Sequence, residues 1–494
     1  MKILIANRGE IVIRVAKTAM KLNLIPCGIY SEADKNSLFI KHCKESVNIG
    51  GFNAIDSYLR KDKVINAAKQ LGCELVHPGY GFLAENAQFS ELCQKEGLAF
   101  VGPSPETLKI SGDKLKAKTV ASKVSPVLQG QEVSQEDDAL EVAKSVGYPV
   151  ILKATRGGGG RGLRIANSQD DLKRVFNSSR NESLISFGSG SMFVEKYLEN
   201  PRHIEVQIIG DNSGVIHLGE RECSIQRRHQ KLIEETPSLA LTNKMRENLT
   251  QSAIAIMEEL GYDNAGTVEF LFKNDKFYFM EVNSRIQVEH PITEEVTGVD
   301  IVEQQIRVAS GMGLSVKQKD ILPNGHAIEC RINAEHPISF VPYPGTVDIF
   351  DPPRGIGVRV DSAMYSGYTI PPYYDSLIAK LICHGKTRND AIDMMLQSLM
   401  SFKISGIPST VPFHISALND QRFRDGKYDT SFIDQLKPYS TREGEIASAI
   451  LSLLPKKIKF LNKNALEEPW LKSRHSFSNE SIPGLDIFSR HRWS

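Results

Sequence analysis

The stretch from Gly266 to Thr293 constrains this chain more than any other. It runs Gly-Thr-Val-Glu-Phe-Leu-Phe, then Lys-Asn-Asp, then Lys-Phe-Tyr-Phe-Met-Glu-Val-Asn-Ser-Arg-Ile-Gln-Val-Glu-His-Pro-Ile-Thr. Aromatic and β-branched residues flank a piece of turn chemistry, which reads as a β-hairpin. With Lys273, Asn274 and Asp275 as a three-residue loop, Phe272 pairs with Lys276, and Glu269 lies opposite Phe279. Side chains alternate faces along a strand. Glu269, Glu281 and Asn283 then share one face, with Glu269 and Glu281 as diagonal neighbours at roughly 7–8 Å. A two-residue loop would turn Glu269 to the other face, so the expectation depends on the register.

Two carboxylates and an amide on one face suit a hard, oxygen-preferring cation such as Mg²⁺. A solvated polar face on an antiparallel sheet would show the same alternation, and the pattern alone does not separate the two. Arg285, Gln287 and Glu289 follow at the same period of two. They set an anion receptor and a candidate base just beyond the metal ligands, which a solvated face does not require.

A length of 494 residues suggests roughly three domains. A net charge of +1 gives no bulk electrostatic case for nucleic acid or an acidic membrane. The seven cysteines are odd in number and never spaced Cys-x-x-Cys, which predicts reduced thiols and a cytoplasmic setting. Met1-Lys-Ile-Leu-Ile-Ala runs straight into a strand without a signal-peptide core, and no apolar run approaches about 18 residues. A membrane span is therefore not expected.

The chain opens as a βαβ unit: a strand over residues 2–6, a loop at Asn7-Arg-Gly-Glu10, a helix over Ile11–Leu22 and a strand over Ile25–Tyr30. A dinucleotide site would need Gly-x-Gly-x-x-Gly in the first turn, where only Gly9 stands. Glu74–His77 is a further strand, ending in Pro78-Gly-Tyr-Gly-Phe82. Further on, Tyr148–Ala154 is a strand that leads into Thr155-Arg-Gly-Gly-Gly-Gly-Arg-Gly162 and then another strand. A glycine-rich turn between strands reads as a flap whose bare N–H groups close over phosphate oxygens, with Lys153 as a point charge beside it. The alternative is a merely flexible hairpin. Glu195 and the backbone of Lys196, Tyr197 and Leu198 suit an adenine edge. His203–Ile209 alternates cleanly, and Gln226-Arg-Arg-His-Gln-Lys231 is a dense cationic run from which Lys231 can join Arg285 around one small anion.

Taken together, these pieces give the chain a family resemblance. It resembles the biotin carboxylase component of biotin-dependent carboxylases (acetyl-/propionyl-CoA or pyruvate carboxylase type), in the ATP-grasp superfamily, over about residues 1–436. The resemblance rests on Ala6-Asn-Arg-Gly-Glu-Ile11, His77-Pro-Gly-Tyr-Gly-Phe-Leu83, Gly112-Asp-Lys114, the glycine flap and Glu195-Lys-Tyr-Leu198. It continues in Arg227-Arg-His-Gln-Lys231, Arg285-Ile-Gln-Val-Glu-His-Pro291, Glu329-Cys-Arg-Ile-Asn-Ala-Glu335 and Pro371-Pro-Tyr-Tyr-Asp375. The flap and metal hairpin would fit any ATP-grasp ligase, whereas the Arg-Arg-His-Gln-Lys, Arg-Ile-Gln-Val-Glu-His and Glu-Cys-Arg-Ile-Asn-Ala-Glu runs belong to the carboxylase branch.

The resemblance implies an α/β and α+β fold. Its expected parts are a doubly wound (Rossmann-like) domain over 1–111, an ATP-grasp domain over 112–325 with a mobile lid at about 126–197, and a β-rich C-terminal domain over 326–436. Residues 437–494 form a tail. By motif, Lys114, Lys153, Gly159, Gly160, Glu195 to Leu198, His203, Gln226 and His229 resemble an ATP site. Glu269, Glu281 and Asn283 resemble Mg²⁺ or Mn²⁺ ligands, and Lys231, Arg285, Gln287 and the Val288 backbone a bicarbonate pocket. Glu289 resembles the base that deprotonates bicarbonate, and Arg331 the residue facing the biotin enolate. The implied reaction is ATP-dependent carboxylation of biotin through carboxyphosphate. The implied partners are a carrier protein and carboxyltransferase on separate chains, in a homodimeric assembly.

Some positions depart from the family pattern. Arg156 replaces a usual glycine, Val124-Ser-Pro-Val-Leu-Gln-Gly130 lacks the usual Val-Pro-Gly, and Gly406-Ile-Pro-Ser-Thr410 replaces Gly-Ile-x-Thr-Asn. In the tail, Glu445–Leu454 reads as a helix, and Trp470 and Trp493 suggest a docking surface, with a poorly ordered terminus as the alternative. The rival functions are another ATP-grasp carboxylate–amine ligase and a non-catalytic nucleotide-binding component of a larger assembly.

Overall fold

The computed structural model describes residues 1–154, 163–187, 190–228 and 230–436. The expectations for the glycine flap, including Gly159 and Gly160, for His229 and for the 437–494 tail fall outside these residues.

The N-terminal region is a five-stranded parallel sheet. Across the sheet the order is Glu45–Asn48, Ile25–Tyr30, Lys2–Ile5, Leu75–His77 and Ala99–Phe100. The middle strand is apolar on both faces because helices cover both. Ile3 and Ile5 pack with the Glu10–Lys21 helix, while Leu4 joins the core beneath the Lys61–Leu71 and Ala87–Lys95 helices. Gly9 holds φ +74° in the first turn. The Asn7 side chain donates to Pro78 O at 2.6 Å and Tyr80 O at 2.8 Å, tying two strand-end loops together.

An eight-stranded antiparallel sheet forms the body. Its order is Lys276–Asn283, Asn264–Lys273, Arg202–Asp211, Gly214–Arg227, Gln230–Thr236, His326–Asn333, Leu377–Gly385 and Val358–Ser362. The last three strands carry the sheet past residue 325, so one ladder serves both the body and the C-terminal region. There the helices Arg388–Ser401 and Val411–Asn419 close the core. A separate four-stranded sheet of Gly130–Val133, Met192–Lys196, Val150–Ala154 and Arg164–Ala166 has its own core with the helices Glu136–Val146 and Gln169–Phe187. Its entry segment is fixed to the body by the Phe279 N–H, which donates to Pro126 O at 2.8 Å.

The hairpin corrects one expectation. Lys273 pairs with Lys276, so the loop is two residues, Asn274 and Asp275, at φ 51° and 60°. Asn and Asp tolerate this left-handed region, which a twist-matched two-residue turn requires. The faces still come out as expected, because the register slips by one residue between the Phe270–Phe279 and Glu269–Glu281 pairs. Met280 is the extra residue of this bulge. Glu269 therefore sits directly opposite Glu281, not diagonal to it, and Asn283 opposite Thr267.

A second correction concerns alternation. The clean alternation of His203–Ile209, and that of Ile328, Cys330 and Ile332 with Glu329, Arg331 and Asn333, is the pattern of half-buried strands. Glu205, Gln207 and Glu329 are nonetheless fully buried, because their polar faces pack into the charged interior described next.

Candidate active site

Lys231 is the second residue of the strand Gln230–Thr236 and points its ammonium at three carboxylates. Glu205 Oε2 lies at 2.5 Å, Glu289 Oε1 at 2.7 Å and Glu269 Oε1 at 2.8 Å. Fully buried Arg221 donates to the other Glu205 oxygen at 2.6 Å, and to Gln207 and Thr293. The remaining Glu289 oxygen accepts from Arg331 Nη2 at 2.8 Å, and Arg331 Nε donates to Glu234 Oε1 at 2.6 Å. His203 Nε2 stands 3.2 Å from Glu269 Oε2 without a hydrogen bond of its own, and Gln226 Nε2 is 3.4 Å from His203 Nδ1.

Burial penalises every charge here, and the pairing decides which ones survive. At Glu289 the penalty is outweighed by Lys231, Arg331 and Arg221, which hold the carboxyl well below its usual range. Lys231 and His203 likewise hold Glu269 down against burial. At Glu205 burial wins and the carboxyl is raised despite Lys231 and Arg221. The Lys231 ammonium is buried too, yet its three carboxylates raise it well above the ordinary lysine value.

Glu205, Glu269, Glu289 and Glu234 stand against Lys231, Arg221 and Arg331, a small acidic excess, and buried excess charge is costly unless neutralised. A hard divalent cation fits that excess, since Glu269 and Glu281 face each other across the hairpin and Asn283 follows on the same side. In the chain by itself, Lys114 is the partner of Glu281, at 3.4 Å. Among the described residues the closest groups of ligand atoms are His203, Glu205, Glu269 and Glu205, Cys223, Glu289; neither includes Glu281.

Arg285 is held on three sides. Its Nε donates to Glu85 at 3.0 Å, Nη1 to Gln287 Oε1 at 2.9 Å and Nη2 to Asn283 Oδ1 at 3.2 Å. Gln287 is buried, and its Nε2 has no protein partner. An idle amide donor beside a fixed guanidinium suits a small oxyanion. The Val288 carbonyl accepts from the fully buried Lys380 ammonium at 3.0 Å. Lys231 is held by three carboxylates and Arg285 by Glu85 and two amides, contacts that an arriving anion would have to share.

On the lid side, Glu195 pairs with Lys153 at 2.5 Å and with Lys118. Burial raises this carboxyl, but the two lysines outweigh it and leave it lowered. The Lys196 and Tyr197 N–H groups donate to Gln129 O and Pro149 O, and Leu198 follows, half-buried. Glu205, Arg221, Glu234, Glu85, Lys118 and Lys380 are site residues that sequence reasoning misses. Only Glu205 carries a local signal, being two residues from His203 on the same strand face.

A lid on its own small sheet, facing an antiparallel sheet with paired glutamates, is the layout of the ATP-grasp enzymes. Accordingly, residues 113–317 match the family described as carbamoyl-phosphate synthase L chain, ATP binding domain. The flanking regions narrow the class: residues 1–108 match the biotin carboxylase N-terminal domain, and residues 329–435 the biotin carboxylase C-terminal domain. The chain belongs to the biotin carboxylase family. It is 50% identical over 441 residues to one of the pyruvate carboxylase subunits of Methanothermobacter thermautotrophicus, covering 88% of this chain and 90% of that one. It is 47% identical to biotin carboxylase 1 of Bacillus subtilis, covering 88% and 98%. Among solved structures, the biotin carboxylase–β-γ-ATP complex of Campylobacter jejuni superposes with a TM-score of 0.86 at 46% identity, covering 88% and 98%. The biotin carboxylase domain dimer of Hydrogenobacter thermophilus 2-oxoglutarate carboxylase, bound to MgADP, ADP and bicarbonate, gives 0.85 at 45% identity, covering 88% and 97%.

Proposed function

We infer that this chain carboxylates biotin on a carrier protein, using ATP and bicarbonate and passing through carboxyphosphate. The observation that carries the reading is Lys231, which joins Glu269 of the metal face to Glu289, whose second oxygen is held by Arg331. The Lys231 ammonium bridges the metal ligand and the base, and the base in turn holds the biotin-facing cation.

In this reading Glu269, Glu281 and Asn283 hold Mg²⁺ or Mn²⁺, which when bound neutralises phosphate charge during transfer. Lys114, Lys153, Gly159, Gly160, Glu195 to Leu198, His203, Gln226 and His229 bind the nucleotide. Arg285, Gln287 Nε2 and the Val288 backbone receive bicarbonate. With two cations on it, Glu289 is a weak base. An arriving bicarbonate competes for Lys231, and as that ammonium turns to the new anion, Glu289 regains affinity for a proton. Glu289 then takes the bicarbonate proton, and the freed oxygen attacks the γ-phosphorus as ADP leaves. Carboxyphosphate yields CO₂ and phosphate. The phosphate removes the biotin N1′ proton, and Arg331 stabilises the enolate that captures CO₂.

The domain limits in this reading are 1–111, 112–325 and 326–436. The carrier and the carboxyltransferase are separate chains, and the working unit is a homodimer. Two relatives, one named for a subunit of pyruvate carboxylase and one for the small subunit of 2-oxoglutarate carboxylase, support a division of labour between chains. Among the described residues no helix is long and apolar enough to cross a membrane. The test is ADP release by purified protein with Mg-ATP. It should require bicarbonate and rise with free biotin. ADP release indifferent to bicarbonate would overturn the reading.

A further inference from the structure

Glu329 is used by no step above, yet it sits fully buried beside the centre of the reaction. Both of its carboxyl oxygens lack a protein partner. It pairs directly across the strands with Glu234, whose Oε2 is also buried and unpartnered. Directly opposed residues of an antiparallel pair carry neighbouring side chains on one face. Three buried carboxyl oxygens without a hydrogen-bond partner therefore belong to two directly opposed residues. The fourth, Glu234 Oε1, accepts from Arg331 Nε at 2.6 Å.

Two ionised carboxylates at this spacing would repel and remain unsolvated, whereas a carboxylic acid beside a carboxylate makes a strong charge-assisted hydrogen bond. We propose that Glu329 works as a neutral acid, donating its proton to Glu234 Oε2, and so positions Arg331 while leaving its charge available to the biotin anion. Arg331 already faces two carboxylates, Glu234 and Glu289, and a third full negative charge at Glu329 would weaken its pull on an anionic substrate further. Burial, joined by the neighbouring Glu234 and Glu289, outweighs Lys380 and Arg331 and raises the Glu329 carboxyl well above the usual range. Burial also pushes Glu234 up to about 7, against the pull of Arg331. One shared proton accounts for both, with Glu329 as its holder.

The proposal rests on Arg331 facing the biotin anion, so the test separates the two ideas. Glu329→Gln keeps a donor in place. It should retain kcat for biotin carboxylation, with the KM for ATP unchanged. Glu329→Leu leaves Glu234 Oε2 bare and should lower kcat about tenfold, again at constant KM for ATP. Infrared difference spectra of wild type against Glu329→Gln should show a protonated carboxyl stretch at neutral pH. That readout needs no activity and survives a failure of the leucine variant to fold. Absence of the stretch, or a glutamine variant as impaired as the leucine one, would overturn the role of Glu329. Full activity in Arg331→Ala would instead overturn the underlying reading of Arg331.

Discussion

Glu234 and Glu235 are consecutive residues on one strand, both fully buried, and they point to opposite faces of the same sheet. Glu235 is satisfied: Arg388 grips both oxygens at 2.6 and 3.0 Å, His326 Nε2 lies at 2.6 Å, and Tyr428 donates to it as well. Burial would raise its carboxyl, but His326 and Arg388 outweigh it and hold the group at about 2. Glu234 has one firm partner and one idle oxygen. Through Arg388 and Tyr428, Glu235 joins the body to the C-terminal region. Around the other face, Glu234, Glu329, Gln287 and His203 each keep a buried atom without a protein partner. A buried ion cluster whose bonds are complete is a clamp. One whose bonds are incomplete leaves room for a substrate to finish it.

The contrast can be broken by substitution. Glu289→Gln should lower bicarbonate-dependent ADP formation and biotin carboxylation by about 10²–10⁴-fold, a loss of rate that persists in the fraction shown by circular dichroism to be folded. A stability loss without a rate loss would erase the distinction between the faces. Arg388→Ala should do the reverse. Removing the partner of buried Glu235 should cost about 3–5 kcal/mol of unfolding free energy, measured by urea titration, while kcat of the folded enzyme holds.

Acid sharpens the comparison further. The Glu235 carboxyl is lowered in the fold, so its stabilisation is full above the ordinary glutamate range and disappears as pH falls through it toward about 2. That single group should contribute on the order of 3 kcal/mol, seen as a fall in urea midpoint that Glu235→Gln abolishes. The smallest effect calibrates the rest. Lys123 pairs with Glu259 on the surface at 3.0 Å, and Lys123→Ala should change stability by less than about 1 kcal/mol.

Much of this organisation is legible from local pattern. Glu269, Glu281 and Asn283 do share a face, as simple alternation predicts, and the parallel N-terminal sheet follows from apolar runs broken by loops. The loop length does not: Asn274-Asp275 lacks the glycine that usually marks a two-residue turn, so the pattern draws Lys273 into the loop. Nor is the bulge at Met280 visible, because nothing in Phe279-Met-Glu281 announces a residue without a partner. The two errors compensate, which is why the faces agree while the pairing differs. The acid-rich surroundings of Lys231 are hidden for another reason. Glu205, Glu269 and Glu289 converge from three separated segments, and a one-dimensional pattern carries no record of such convergence.

The unbroken ladder through Gln230–Thr236 and His326–Asn333 has a practical consequence. A cut between residues 325 and 326 would expose two raw strand edges and strip Glu289 of its contact with Arg331, so halves produced apart would stick to themselves sooner than reassemble. Anyone dissecting this enzyme into modules should place the scissors at the lid, which carries its own interior, and leave the long sheet whole.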